Sequence, residues 1–165
     1  MHPQSNDTPK APSVLFLCTG NYYRSRFAEA YFRHLASERG LAWEADSSGL
    51  RPDPRNEGNL SIHTVRECQR LDIPIDARPA RVTAESDFHS ATHVVAVKES
   101  EHRPLMRELY PDWENRIEYW EVHDLDVALP GDTLARLRAE VERLVSRLAG
   151  PGAPSSRSSG DGTAS

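Results

Sequence analysis

The chain has 165 residues, 38% of apolar type and 27% charged, with 20 Lys and Arg against 25 Asp and Glu. That is the size and balance of one soluble globular domain, with no room for a second catalytic unit. A net charge of -5 argues against a partner such as nucleic acid or an anionic membrane, so an anion site has to be local.

Residues 1–12 and 149–165 are rich in Ser, Pro, Gly and Asp and offer too little apolar surface to offset ordering entropy, so both are expected to be disordered tails around a domain at 13–148. The first tail carries no apolar signal core, and no stretch reaches the ~18 apolar residues of a membrane span, so a cytoplasmic location is expected. Ser13-Val14-Leu15-Phe16-Leu17 is a short apolar run that suits a strand buried on both faces of a parallel sheet. Phe27, Ala28, Ala30, Tyr31, Phe32 and Leu35 then recur at helical spacing up to Gly40, a natural stop. Residues 41–47 alternate like a second strand, Pro52-Asp53-Pro54 breaks the pattern, and Leu60, Ile62, Val65 and Leu71 mark another helix. Residues 92–97 read as a strand, 99–109 as a helix and 116–122 as a fourth strand. Leu134, Leu137, Val141, Leu144, Val145 and Leu148 form an amphipathic last helix, with Asp132 or Thr133 placed to cap it. Strands alternating with helices predict a three-layer α/β/α fold around a four-stranded parallel sheet, with ligands at the carboxyl ends of the strands.

The first such end is Cys18-Thr19-Gly20-Asn21-Tyr22-Tyr23-Arg24-Ser25. A cysteine and an arginine six positions apart mean little alone; here they stand between a buried strand and a helix start. Gly20 and Asn21 tolerate left-handed backbone, which lets the loop curl and aim successive N–H groups, from Thr19 through Ser25, at one anion. The helix N-terminus adds donors and the positive end of its dipole, and Arg24 can fork onto two phosphate oxygens. The same surroundings favour the Cys18 thiolate over the thiol, and Ser25 is placed to donate a hydrogen bond to the sulfur. The two cysteines, Cys18 and Cys68, are too few for a disulfide framework and lack zinc-site spacing, so no metal or organic cofactor is expected. Cys68 is read as core.

At these residues the chain resembles the low-molecular-weight protein tyrosine phosphatases, whose loop C-x-G-N-x-C-R-S follows the first strand. Val14 through Ser25, with Ala28-Glu29-Ala30 beyond, fits that pattern. The resemblance implies a phosphatase that attacks phosphorus through Cys18, with loop amides and Arg24 holding the charge. It gives Ser47, in Asp46-Ser47-Ser48-Gly49, the role of bonding the loop asparagine and keeping the loop open. Phosphoester cleavage also needs an acid on another loop to protonate the leaving oxygen. The family uses an Asp-Pro pair after the last strand, and Glu121-Val122-His123-Asp124-Leu125-Asp126 is the matching stretch. Asp124 fits best by position, with Asp126 in reserve; Leu125 replaces the proline, and the aromatic residues that usually follow are absent. Tyr23 stands where many members carry a second cysteine, so that redox switch is not available. Tyr22 and Tyr23 are placed to line the mouth, stack on a substrate ring, or pack beneath the loop. Thr19 resembles the threonine of bacterial protein-arginine phosphatases.

The leading reading is therefore a cysteine-dependent phosphatase acting on phosphorylated protein side chains or a small phosphoester, with phosphotyrosine as the default substrate and phosphoarginine as the variant. A phosphate-binding module that has lost turnover is the alternative. A thioredoxin-coupled arsenate reductase shares the loop but needs two further cysteines, and only Cys68 is left over.

Overall fold

Strand β1 (Ser13–Cys18) lies at the centre of a four-stranded, all-parallel sheet of order β2-β1-β3-β4. The structure, a computed structural model, describes residues 10–124 and 128–150. The other elements are α1 (Arg24–Arg39), β2 (Glu44–Gly49), α2 (Ile62–Arg70), α3 (Glu85–Ser90), β3 (His93–Ala96), α4 (Glu99–Leu109), a 3-10 turn (Pro111–Trp113), β4 (Glu118–Tyr119) and α5 (Pro130–Ala149). Residues 1–9 and 151–165 of the two expected tails lie outside the described residues, as do Leu125 and Asp126. Among the described residues no helix is long and apolar enough to cross a membrane.

Period-two alternation along β1 builds two cores, one on each face of the sheet. Val14, Phe16 and Cys18 join α1 and α5 through Phe27, Phe32, Leu137, Val141 and Leu144. Leu15 and Leu17 face the other way onto Phe88 of α3 and Met106 of α4. Helices thus cover both faces, which is why the strand reads as an unbroken apolar run. Because β1 pairs with β2 on one side and β3 on the other, the chain runs in opposite directions from the centre. The resulting crevice opens at the carboxyl end of β1, where Cys18 sits.

Helix α1 stops as expected at Gly40, whose φ of 66° is the left-handed cap an L residue disfavours. Three sequence expectations need revision. The fourth strand is regular only over Glu118–Tyr119, the two residues in register with Val95 and Ala96 of β3. Beyond it, Trp120 N–H still donates to Ala96 O at 2.9 Å and Val122 N–H to Val97 O at 2.8 Å, so extended chain reaches the site without a full ladder. Neither Asp132 nor Thr133 caps α5. That helix opens earlier, after an extended Leu129, with Pro130 in its first turn, where a fixed φ helps and the missing N–H costs nothing. Short α3 was not anticipated; its six residues are too few for a helical period to show.

Candidate active site

The phosphate-loop candidate spans the gap from β1 to α1 and curls around the sulfur of Cys18. Asn21 takes φ of 50°, the left-handed turn expected of it. Its N–H donates to Cys18 Sγ at 3.3 Å. Its side-chain Nδ2 donates to Ser25 Oγ at 3.0 Å and to Ser47 Oγ at 2.9 Å. Ser25 Oγ lies 3.0 Å from Cys18 Sγ. Since that oxygen already accepts from Asn21, its own proton is free to point at the sulfur, which is the orientation a thiolate needs. Ser47 is fully buried and donates onward to Glu29 Oε1 at 2.5 Å.

Sequence reasoning missed what stands behind this network. Arg78 Nη1 and the Arg81 N–H both donate to Asn21 Oδ1, at 3.1 and 2.9 Å, while Arg78 Nη2 reaches Ser47 Oγ at 3.1 Å. The amide of Asn21 is thus saturated on both ends. Both arginines come from an irregular stretch before α3, where neither period nor motif marks them. Gly49, quoted with Ser47, has its own reason: a Cβ there would stand 2.8 Å from Thr19 O and 3.0 Å from Asn21 N. The end of β2 can approach the loop only as glycine.

Arg24 opens α1 and is 2% exposed. Its Nη1 donates to Val122 O at 3.0 Å. Its Nη2 donates to Glu101 Oε1 and Oε2 at 3.1 and 3.0 Å and to Asp124 Oδ2 at 3.2 Å. Burial works against the guanidinium charge, but the negative Cys18, Asp124 and Glu101 around it win, and its pKa is raised. Glu101, on the first turn of α4, is a third residue that the sequence did not point to, since it lies in a run of charged residues with no distinguishing spacing. Burial opposes its charge, yet bonds from His102, Arg24 and Thr19 hold its carboxyl well below the usual carboxylate range.

The Thr19 hydroxyl is committed to this corner. Lys98 N–H donates to His102 Nδ1 at 3.1 Å, so in neutral His102 the ring proton sits on Nε2, 3.1 Å from Thr19 Oγ1. Thr19 in turn donates to Glu101. Burial depresses the His102 pKa, with Glu101 offsetting part of the effect, and the neutral form fits these bonds.

Cys18, Gly20, Tyr22, Tyr23, Arg24 and Asp124, with Asn56 and Ser61, line one cleft of about 290 Å³. The structure therefore brings the expected nucleophile, loop arginine and acid to one space. Tyr22 is a wall of it, with its hydroxyl donating to Glu57 O at 2.6 Å. Tyr23 also borders the cleft but is 6% exposed and belongs to the core, where burial pushes its phenol up to about 12. Cys68 has no exposure and packs in the same core, and burial, then Glu67, pushes its thiol up to about 11. A cysteine held by Ser25 and Asn21, a buried arginine and a carboxylate across one cleft are groups that chemistry could use for anion binding and displacement at phosphorus.

Residues 13–153 match the sequence profile described as Low molecular weight phosphotyrosine protein phosphatase. The low molecular weight phosphotyrosine protein phosphatase of Sus scrofa is 35% identical over 104 residues, 58% of this chain and 60% of its own length. The protein-arginine-phosphatase of Bacillus subtilis (strain 168) is 28% identical over 144 residues, 82% of this chain and 93% of its own. The crystal structure of YfkJ from Bacillus subtilis superposes with a TM-score of 0.75 at 26% identity, over 85% of this chain and 96% of that one. With the profile spanning residues 13–153 and the fold shared over 85% of the chain, the chain belongs to the low molecular weight phosphotyrosine protein phosphatase family.

Proposed function

We propose that the chain is a cysteine-dependent phosphatase that hydrolyses phosphorylated protein side chains through a phosphocysteine intermediate. The observation that carries this reading is the meeting of Cys18 Sγ, Ser25 Oγ at 3.0 Å and the Arg24–Asp124 pair at 3.2 Å around one cleft. In the first step the Cys18 thiolate attacks phosphorus, the bond to the leaving oxygen breaks, and Asp124 gives that oxygen its proton. In the second, Asp124 takes a proton from water, the water oxygen attacks the phosphocysteine, and Cys18 leaves as thiolate with Ser25 donating to it. Backbone N–H groups from Thr19 to Ser25 and the Arg24 guanidinium carry the equatorial charge. Asp126 lies outside the described residues, and Asp124 takes the acid role because it lines the cleft with Arg24. The bonded set of Asn21, Ser47 and Ser25 keeps the loop open between turnovers. A cytoplasmic setting is part of the same reading, supported by the polar composition.

The test is hydrolysis of para-nitrophenyl phosphate and of phosphotyrosine peptides by the unaltered chain, Cys18→Ser and Asp124→Asn. Cys18→Ser abolishes turnover of both while phosphate or vanadate still binds. Asp124→Asn slows phosphotyrosine by about 10²–10⁴ and para-nitrophenyl phosphate less, because its leaving group departs with little help from an acid. Turnover that survives Cys18→Ser removes the nucleophile from the scheme, and an unaltered chain that binds phosphate but turns over neither compound points to a binding module instead.

Phosphoarginine is the second substrate reading. In its favour, the protein-arginine-phosphatase relative aligns over 93% of its own length, against 60% for the pig phosphotyrosine enzyme. Side-by-side kcat/KM values on phosphoarginine and phosphotyrosine peptides of one sequence decide between them.

A further inference from the structure

Arg26 is a buried cation that the phosphatase scheme does not use. It lies in the first turn of α1 at 3% exposure. Its guanidinium makes four hydrogen bonds, and every acceptor is a main-chain carbonyl: Asn21 O at 3.3 Å, Asn59 O at 3.1 Å, Asp76 O at 2.8 Å and Arg78 O at 2.8 Å. Burial first and the neighbouring Arg78 second weaken its hold on its proton. Burying a charge is unfavourable unless hydrogen bonds compensate it, and these four carbonyls supply that compensation.

The carbonyls belong to three different segments: the phosphate loop, the stretch that leads into α2, and the stretch that supplies Arg78 and Arg81. Only a planar fork with five donors can reach all three at once. The bond to Asn21 O has a further effect. All described peptide bonds are trans, so the Asn21 C=O and the Tyr22 N–H of one peptide plane point in opposite directions. With the carbonyl held by Arg26, the Tyr22 N–H is turned away from Arg26, and Tyr22 itself lines the cleft with Cys18, Gly20 and Arg24. Released from Arg26, that plane can rotate about ψ of Asn21 and φ of Tyr22, because among the described residues the Asn21 carbonyl accepts from Arg26 alone. A flipped plane would present a carbonyl oxygen to the anion in place of a donor.

We infer that Arg26 is a positioning residue for phosphate binding: by holding the Asn21 carbonyl from behind, together with the two segments that brace the loop, it fixes the Asn21–Tyr22 peptide with its N–H toward the anion. This rests on the reading of the cleft as a phosphate site. Arg26 touches neither substrate nor the reacting atoms, and its contribution is the orientation of one loop donor and the shared anchoring of the loop's support.

The experiment is titration of inorganic phosphate into the full chain by calorimetry, with the Tyr22 amide followed by ¹⁵N–¹H spectra, for the unaltered protein, Arg26→Met and Arg26→Lys. In the unaltered chain the Tyr22 amide proton moves downfield as phosphate binds. Arg26→Met weakens phosphate by about tenfold or more, the size of one lost charge-assisted hydrogen bond, and the downfield movement disappears. Arg26→Lys keeps the charge but not the fork, and recovers affinity to within about threefold to fivefold of the unaltered chain. A folded Arg26→Met protein that binds phosphate within twofold, with the Tyr22 movement intact, overturns the inference. If Arg26→Met does not fold, Arg26→Lys decides by itself, and equal affinity with an unchanged Tyr22 signal overturns it. An unaltered chain that binds no phosphate defeats the site reading and the inference together, whereas phosphate binding insensitive to Arg26 defeats the inference alone.

Discussion

Replacing Asn21 by alanine tests whether the phosphate loop is held in advance by its side-chain network. Four hydrogen bonds end on that amide: to Ser25 and Ser47 from Nδ2, and from Arg78 and the Arg81 N–H to Oδ1. Three of the partners keep another bond after truncation. Ser25 retains Cys18, Ser47 retains Glu29, and Arg78 retains Ser47 and Pro79 O. The Arg81 N–H loses its acceptor, which costs up to about 1–3 kcal/mol for a part-buried donor. A left-handed φ of 50° at a residue with a Cβ and no polar side chain adds about 1–2 kcal/mol. The sum, about 2–5 kcal/mol, is a large part of an ordinary domain's stability. At about 2–4 °C per kcal/mol for a chain of this size, it predicts a fall in Tm of roughly 4–20 °C. The measurement is urea and thermal unfolding of the unaltered chain, Asn21→Ala and Asn21→Gly. Glycine relieves the backbone strain and leaves the bonds missing, so Asn21→Gly should fall between the other two. An Asn21→Ala protein within about 0.5 kcal/mol of the unaltered chain would refute the calculation as a whole, and one more stable than Asn21→Gly would refute its strain contribution.

The remaining predictions concern separate parts of the molecule. Gly49→Ala forces a methyl to within 2.8 Å of Thr19 O, so it should weaken phosphate binding by at least tenfold at little change in kcat per bound substrate; unchanged affinity in a titration would count against that close approach. Glu118 is held near a pKa of about 2, because bonds from His93, Arg147 and Trp120 outweigh a burial effect in the opposite direction. Its folded pKa lies below the unfolded one, so its contribution is complete above about pH 5 and vanishes as pH falls toward 2. Glu118→Gln should therefore lose about 1–2 kcal/mol at neutral pH, after solvent screening of a ceiling near 3, and nothing at pH 2. A pH-independent difference in urea unfolding would contradict this. Both cysteines are buried, but only Cys18 lines the cleft, so iodoacetamide at neutral pH should label Cys18 and spare Cys68, whose thiol burial pushes up to about 11, as peptide mass spectrometry can show; equal labelling of both would place Cys68 outside the core.

The loop from Cys18 to Ser25 was legible because its chemistry is local. A buried strand, a residue pair able to turn left-handed and a helix start follow one another along the chain, and backbone sterics and helix-end donors act over a few residues. The alternation of helix and strand was legible for the same reason, since hydrophobic period is a property of neighbours in sequence. Short or irregular pieces were not. Helix α3 has six residues and β4 two, and no period can develop over such lengths.

What the sequence by itself determined is the layered parallel fold and the loop that joins β1 to α1 with Cys18 and Arg24 at its ends, all properties of contiguous residues. Only the tertiary structure decided who supports them. Glu101 and His102 reach Thr19 and Arg24 from α4, Arg78 and Arg81 reach Asn21 from the segment before α3, and Asp124 comes to the cleft from beyond β4. These partners are separated from the loop by about 60 to 100 positions. Their meeting depends on crossovers that bring strand ends together at one edge of the sheet. A charged residue in a polar run carries no mark of which buried group it will pair with until the chain has folded around both.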